Sequence, residues 1–228
     1  MPPINDITTW GRHSDVGEPL KPLRRFFLLY EGSRTEQAYF SELLLLLNRM
    51  GLPKYVAVER CERTENDETA SNPRRLLRLA ESEIKEGDSF AEGDEIAIVF
   101  DVDIYAHKPG DYESLLAEFA ASGMQPYVTF PSFELFLLLH LEDGYIRWVE
   151  PNESLIVENR KEHGRRYVDR LFSRASGMNP KRNPRVGELA AEHERACKEE
   201  TRLNQDPKSA IGRLTSNVGV LIEKLKSS

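Results

Sequence analysis

Phe26-Phe27-Leu28-Leu29-Tyr30-Glu31-Gly32 and, further along, Ile98-Val99-Phe100-Asp101-Val102-Asp103 decide the reading of this chain. In each, a continuous run of large apolar residues ends abruptly in acids, the pattern of a strand buried on both faces that emerges at its carboxyl end. Open α/β sheets place ligands in the crevice beyond such ends. Glu31, Asp101 and Asp103 would then face one crevice. The two aspartates stand two apart, so in extended backbone their side chains point to the same side and can approach one cation together. Magnesium takes oxygen ligands at about 2 Å and keeps several waters, so three carboxylates are a sufficient set.

Outward from these runs the periodicity predicts alternating strands and helices. Arg24 to Tyr30 is the first strand. Ser33-Arg34-Thr35-Glu36 has the capping-box pattern, and Tyr39, Phe40, Leu43, Leu44 and Leu47 follow at helical spacing as far as Gly51 and Pro53. Tyr55 to Val58 suggests a second strand, followed by a polar loop over 62–69 that could move over the site. Asn72-Pro73 opens a second helix, and Glu95 to Phe100 is the third strand. A helix over Tyr112 to Ala121, closed by Gly123, leads to a fourth strand at Tyr127 to Phe130. The order βαβαβαβ predicts a four-stranded parallel sheet with right-handed crossovers and helices on both faces.

The apolar segment Pro131 to Gly144 predicts a buried helix, and polar helices are expected over Ser154–Phe172, over Gly187–Leu203, and ending at Leu225. This divides the chain into a proline-bearing arm at 1–22, an α/β domain at 23–148 and a helical extension at 149–228 packed on the same domain.

Composition bounds the function. The chain has 228 residues, 39% hydrophobic and 30% charged, as in a globular protein. No apolar run approaches the ~20 residues of a membrane span, and the amino terminus has no signal-peptide pattern, so a cytoplasmic protein without membrane contact is expected. Cys61 and Cys197 form no zinc-ligand spacing. A net charge of -7 argues against nucleic acid gripped over the whole surface. One local exception stands out: Arg160, Lys161, Arg165, Arg166, Arg170, Arg174, Lys181, Arg182 and Arg185 oppose only Glu162 and Asp169, a local charge of +7 over 160–185. Arg166, Arg170 and Arg174 repeat every four residues and would form one stripe on a helix, either solvated or tracking a phosphate backbone.

The combination of strand-Glu-Gly with a later D-x-D resembles the Toprim fold of topoisomerases, DnaG-type primases and nucleases of the overcoming-lysogenization-defect class. Tyr30-Glu31-Gly32-Ser33-Arg34-Thr35-Glu36-Gln37-Ala38-Tyr39-Phe40, Phe100-Asp101-Val102-Asp103 and Pro131-Ser132-Phe133-Glu134-Leu135-Phe136-Leu137-Leu138-Leu139-His140 are more specifically similar to the RloB-like family. Leu214 to Glu223 matches that family's closing helix more loosely. Phe136 stands where the family commonly has Trp, and the amino-terminal arm is less basic than usual. The resemblance implies a Toprim/Rossmann-like α/β fold with a carboxyl-terminal helical extension. It also implies a magnesium-dependent nuclease, with manganese as an alternative ion, that cleaves DNA or RNA in anti-phage or abortive-infection defence. An ATPase of the AAA or ABC type would be its partner, and homo-oligomerisation is left open.

In that reading Asp101 and Asp103 hold the metal, while Glu31 ligates it or manages protons. Glu36 is either a further ligand or the partner of Ser33 in the capping box. Glu134 is either catalytic or an acid favoured at the positive end of a helix. Arg34, at a helix amino terminus, would contact a scissile phosphate. Lys108, just past the D-x-D, could reach a phosphate or be a solvated loop residue, and Arg165, Arg166, Arg170 and Arg174 would bind the polymer. His140 reads as a buried, satisfied histidine. The rival from another class is a non-catalytic Toprim-like regulatory or sensor subunit of an ATPase complex. A haloacid-dehalogenase-type phosphohydrolase fits poorly, because Ile104 and Tyr105 follow the second aspartate. No P-loop motif is present, so ATP hydrolysis would have to come from elsewhere.

Overall fold

The computed structural model of the chain describes residues 24–32, 34–50, 56–60, 72–85 and 90–227. The expected arm at 1–22, the serine of the capping box and the polar loop at 62–69 lie outside the described residues. Four strands, β1 (Arg24–Tyr30), β2 (Val56–Arg60), β3 (Glu95–Asp101) and β4 (Gln125–Phe130), pair in parallel in the order β2-β1-β3-β4. A two-residue strand, β5 (Thr215–Ser216), adds antiparallel to the β4 edge.

Alternation along the strands explains the layers. Phe26, Leu28, Ala97, Val99 and Tyr127 point to one face of the sheet, and Phe27, Leu29, Ile96, Ile98, Phe100, Val128 and Phe130 point to the other. Both faces are apolar because both are covered, as crossover helices require. On the second face lie α2 (Pro73–Leu79), continued by a π-helical turn to Lys85, and α3 (Pro109–Ser122). Asn72 caps α2 by accepting the Arg74 amide at 2.9 Å, and Gly123 ends α3 in the left-handed conformation at φ 74°.

The first face carries α1 (Thr35–Met50) together with α4 (Glu134–Leu138), α5 (Glu153–Glu158), α6 (Tyr167–Ser176), α7 (His193–Glu200) and α8 (Val218–Ser227). Three helices differ from the periodicity. The buried segment after Pro131 is α-helical only over five residues, although Phe133 to His140 is buried throughout. The span 154–172 is not one helix. Asn159 adopts φ 45° and stops α5, and a tight turn at His163 (φ 51°) and Gly164 (φ 79°) returns the chain into α6. Pro184–Glu192 is a 3-10 helix rather than the start of α7; it packs so closely on α1 that a Cβ at Gly187 would lie 2.7 Å from the Ala38 carbonyl oxygen.

The open edge of β4 is closed by a side chain imitating a strand. Asn217 accepts the Val128 amide through Oδ1 at 2.6 Å, and its own amide donates to the Val128 carbonyl at 3.3 Å. Glu200, wholly buried, anchors the same corner by accepting from Ser216 Oγ at 2.5 Å and from the Gly219 amide at 2.9 Å. Asn217→Ala strands a buried Val128 amide and should cost about 1–3 kcal/mol, measured by urea denaturation. An unchanged midpoint would contradict the role given to this edge.

Candidate functional site

The carboxyl ends of β1, β3 and β4 lie side by side, so residues just beyond them meet. Backbone pairing carries one residue past β1, where the Glu31 amide donates to the Val99 carbonyl at 2.9 Å. That bond holds Glu31 against β3, and Glu31 Oε2 accepts the Asp101 amide at 3.3 Å. Asp101 stands opposite Thr129 in the β3–β4 register. The Thr129 hydroxyl donates to Asp101 Oδ1 at 2.5 Å, fixing one carboxylate oxygen.

Glu36 comes from the first turn of α1 and is 7% exposed. Its position depends on Gly32, where a Cβ would fall 1.8 Å from Glu36 Oε2. Glu134, at the start of α4, is completely buried. Its Oε2 accepts from Ser132 Oγ at 2.7 Å, and its Oε1 pairs with Lys181 Nζ at 2.6 Å. Lys181 arrives on the segment after α6, which the Thr35 hydroxyl ties to α1 by donating to the Pro180 carbonyl at 2.9 Å.

Asp103 departs from the expected geometry. The strand ends at Asp101, buried Val102 turns to φ -96°, ψ -3°, and Asp103 opens a short 3-10 helix. The two aspartates are therefore not neighbours on one extended segment, and Asp103 Oδ2 pairs with an Arg166 guanidinium nitrogen at 2.9 Å.

The electrostatics follow from this crowding. Burial pushes the Asp101 carboxyl well above the usual carboxylate range, and the charges of Glu36, Glu134 and Glu31 push it further, against the Thr129 hydrogen bond. Asp103 is raised by burial despite Arg166. Asp169 of α6 rises to about 6 through burial and the nearby Glu134 charge. Burial opposes ionisation of Glu134 as well, but the Lys181 ammonium and the Ser132 hydroxyl hold it below its ordinary value. Lys181 is raised in return: the charges of Glu134, Glu36 and Asp101 outweigh burial.

Beside this cluster opens a cavity of about 530 Å³ lined by Arg34, Ala38, Pro180, Lys181, Arg182, Asn183 and Pro184. Lys181 belongs to both, so the cavity's basic wall meets the carboxylates there. The remaining basic residues of the sequence reading divide. Arg166 reaches the acids, whereas Arg165 donates back to the Asp169 carbonyl at 2.9 Å and to Ser173 Oγ at 2.6 Å. Arg170 pairs with Glu162 at 2.9 Å, Arg174 lies over the Trp148 ring, and Lys108 is exposed at the start of α3. His140 lies in the core. Its Nδ1–H donates to the Phe136 carbonyl at 3.0 Å, Tyr39 OH donates to Nε2 at 2.9 Å, and burial pushes its pKa down to about 3.

The donor chemistry fits a hard divalent ion: every candidate ligand is a carboxylate oxygen. Among the described residues, no three His, Cys, Asp or Glu side chains stand in ready-made ligand geometry. Lys181 and Arg166 hold Glu134 and Asp103 instead. Residues that sequence reasoning left out of the site are Lys181, which it placed only in the basic stretch, Ser132 and Thr129.

A family model, the RloB-like protein, matches residues 26–225. The chain belongs to the RloB-like protein family. The match takes in all of the acids described above together with Arg34, Arg166 and Lys181, so the whole site lies inside the family region. No curated protein and no solved structure matches the chain.

Asp101→Asn keeps an acceptor for Thr129 while removing a carboxylate whose ionisation is opposed. A carboxyl raised in the folded state costs stability above its folded pKa, and the cost disappears below the unfolded value of about 3.9. In chelator at pH 8 the variant should melt higher by roughly 2–4 °C, the shift a domain of this size shows per kcal/mol, and the gain should vanish near pH 4. A variant no more stable than its parent at pH 8 would contradict the opposition of burial and neighbouring acids to ionisation of Asp101.

Proposed function

We propose that this RloB-like chain is a Toprim-type, metal-dependent phosphodiesterase that cleaves nucleic acid. It would act in anti-phage defence with an ATPase partner. The observation that carries the reading is the convergence of Glu31, Glu36, Asp101 and Glu134 at the carboxyl ends of parallel strands, beside a cavity walled by Arg34, Lys181 and Arg182.

In this reading Arg34, Lys181 and Arg182 bind and orient the phosphodiester through charge-assisted hydrogen bonds. Asp101, with Glu31 and Glu36 beside it, would hold magnesium or manganese. Thr129 keeps the Asp101 carboxylate oriented. A bound divalent ion supplies activation of water near neutral pH and neutralisation of charge developing on the phosphate. Glu31, half-buried and hydrogen-bonded to the Asp101 amide, would accept a proton from the attacking water. Lys181 offsets negative charge on the reacting phosphate from the cavity side.

One observation favours a second reading. Glu134 and Asp103 already have cationic partners from this chain, as in a charge-compensated module that regulates an ATPase without cleaving anything. Incubating the chain, with and without a candidate ATPase, with duplex DNA, single strands and transfer RNA separates the two. Cleavage that needs magnesium or manganese, stops with chelator, and falls roughly 100-fold or more in Asp101→Asn and Glu31→Gln supports the enzyme. Cleavage retained in Asp101→Asn excludes this mechanism. A defence phenotype that survives both substitutions supports the regulatory module.

A further inference from the structure

The basic helix face leading away from the carboxylates is interleaved with aromatic rings. At one end Arg166 pairs with Asp103 at 2.9 Å. Four residues on, the Arg170 guanidinium lies 5.7 Å from the centroid of the Tyr167 ring, and four further on Arg174 lies 5.8 Å from that of Trp148. The rings belong to one patch. Tyr167 OH donates to Asn152 Oδ1 at 2.7 Å, and Asn152 Nδ2 donates to the Trp148 carbonyl at 2.9 Å. Both rings are partly exposed, as are the side chains of Arg166 and Arg170, at 49% and 26%.

A row of arginines alone would suit any polyanion. Rings between them discriminate, because a duplex offers phosphates and hides its base faces, whereas an unpaired strand offers both. From Arg166, the extended residue that caps α6, to Arg174 is about 12 Å at helical rise, the length of roughly three bases stacked at 3.4 Å. Three of the arginines in the locally basic segment 160–185 lie on this face, in a chain of net charge -7.

We propose that the α6 face from Arg166 to Arg174, with Tyr167 and Trp148, is a stacking track that delivers single-stranded nucleic acid to the carboxylate cluster. The destination rests on the phosphodiesterase reading; the track itself does not. Guanidinium groups already lying over the rings would either slide onto phosphates or sandwich a base against the ring.

The test uses binding, not cleavage. The full chain carrying Asp101→Asn, in chelator, is titrated against a fluorescent dodecamer of thymidine, its uridine counterpart, and a hairpin duplex of equal length. Trp148→Ala and Tyr167→Ala should each weaken single-strand binding roughly 5- to 100-fold and leave duplex binding within about twofold. Arg174→Gln should weaken both and lower the salt slope by about one. Trp148→Phe keeps the stack and should bind nearly as the parent does, while losing the tryptophan quenching that the single strand induces. This readout holds even where the alanine variant fails to fold. Single-strand binding indifferent to both rings, equal losses on duplex, or no single-strand binding at all overturns the track. A chain that binds single strands through these rings yet never cleaves with metal leaves the track standing and removes the nuclease reading.

Discussion

Glu134 is ionised without any contact with solvent, and the ion pair with Lys181 is what permits it. A buried carboxylate without a partner would be expected to take up a proton. The pair binds the segment after α6 to the start of α4, and so to the end of β4. Around it stand the further carboxylates of Glu31, Glu36 and Asp101. The fold concentrates carboxylates where parallel strands end.

The rest of the molecule holds those strand ends in place. Asn217 and the Glu200 carboxylate fasten the last helix to β4, which sets Thr129, which in turn orients Asp101. Gly32 leaves the space that Glu36 fills. On the first face the helices past residue 149 share one apolar cluster with α1 and the strands. The polar carboxyl-terminal segments thus brace the site as well as covering the sheet.

Much of this was legible in the sequence. Unbroken apolar runs ending in acids marked β1 and β3, because a strand buried on both faces needs apolar residues at every position until it emerges. That Glu31 and Asp101 share one end of the sheet followed from parallel order; their contact comes from β1 lying beside β3. Other features depend on contacts between distant segments. Lys181 stands among basic residues with nothing local to distinguish it, and its partner comes from a different helix. The D-x-D looked extended because alternation cannot foresee that Val102 turns inward to the core. The span 154–172 looked like one helix because Asn159 and the His163-Gly164 turn interrupt a favourable period with backbone conformations that apolar spacing does not report.

The central claim is that the negative charge gathered by Glu31, Glu36 and Asp101 forms a divalent-cation site. Anomalous diffraction from crystals soaked in manganese tests it most directly. The account predicts a manganese peak against the Asp101 carboxylate, within reach of Glu31 or Glu36. Manganese found only on surface acids, with this corner still held by Lys181 alone, would contradict it.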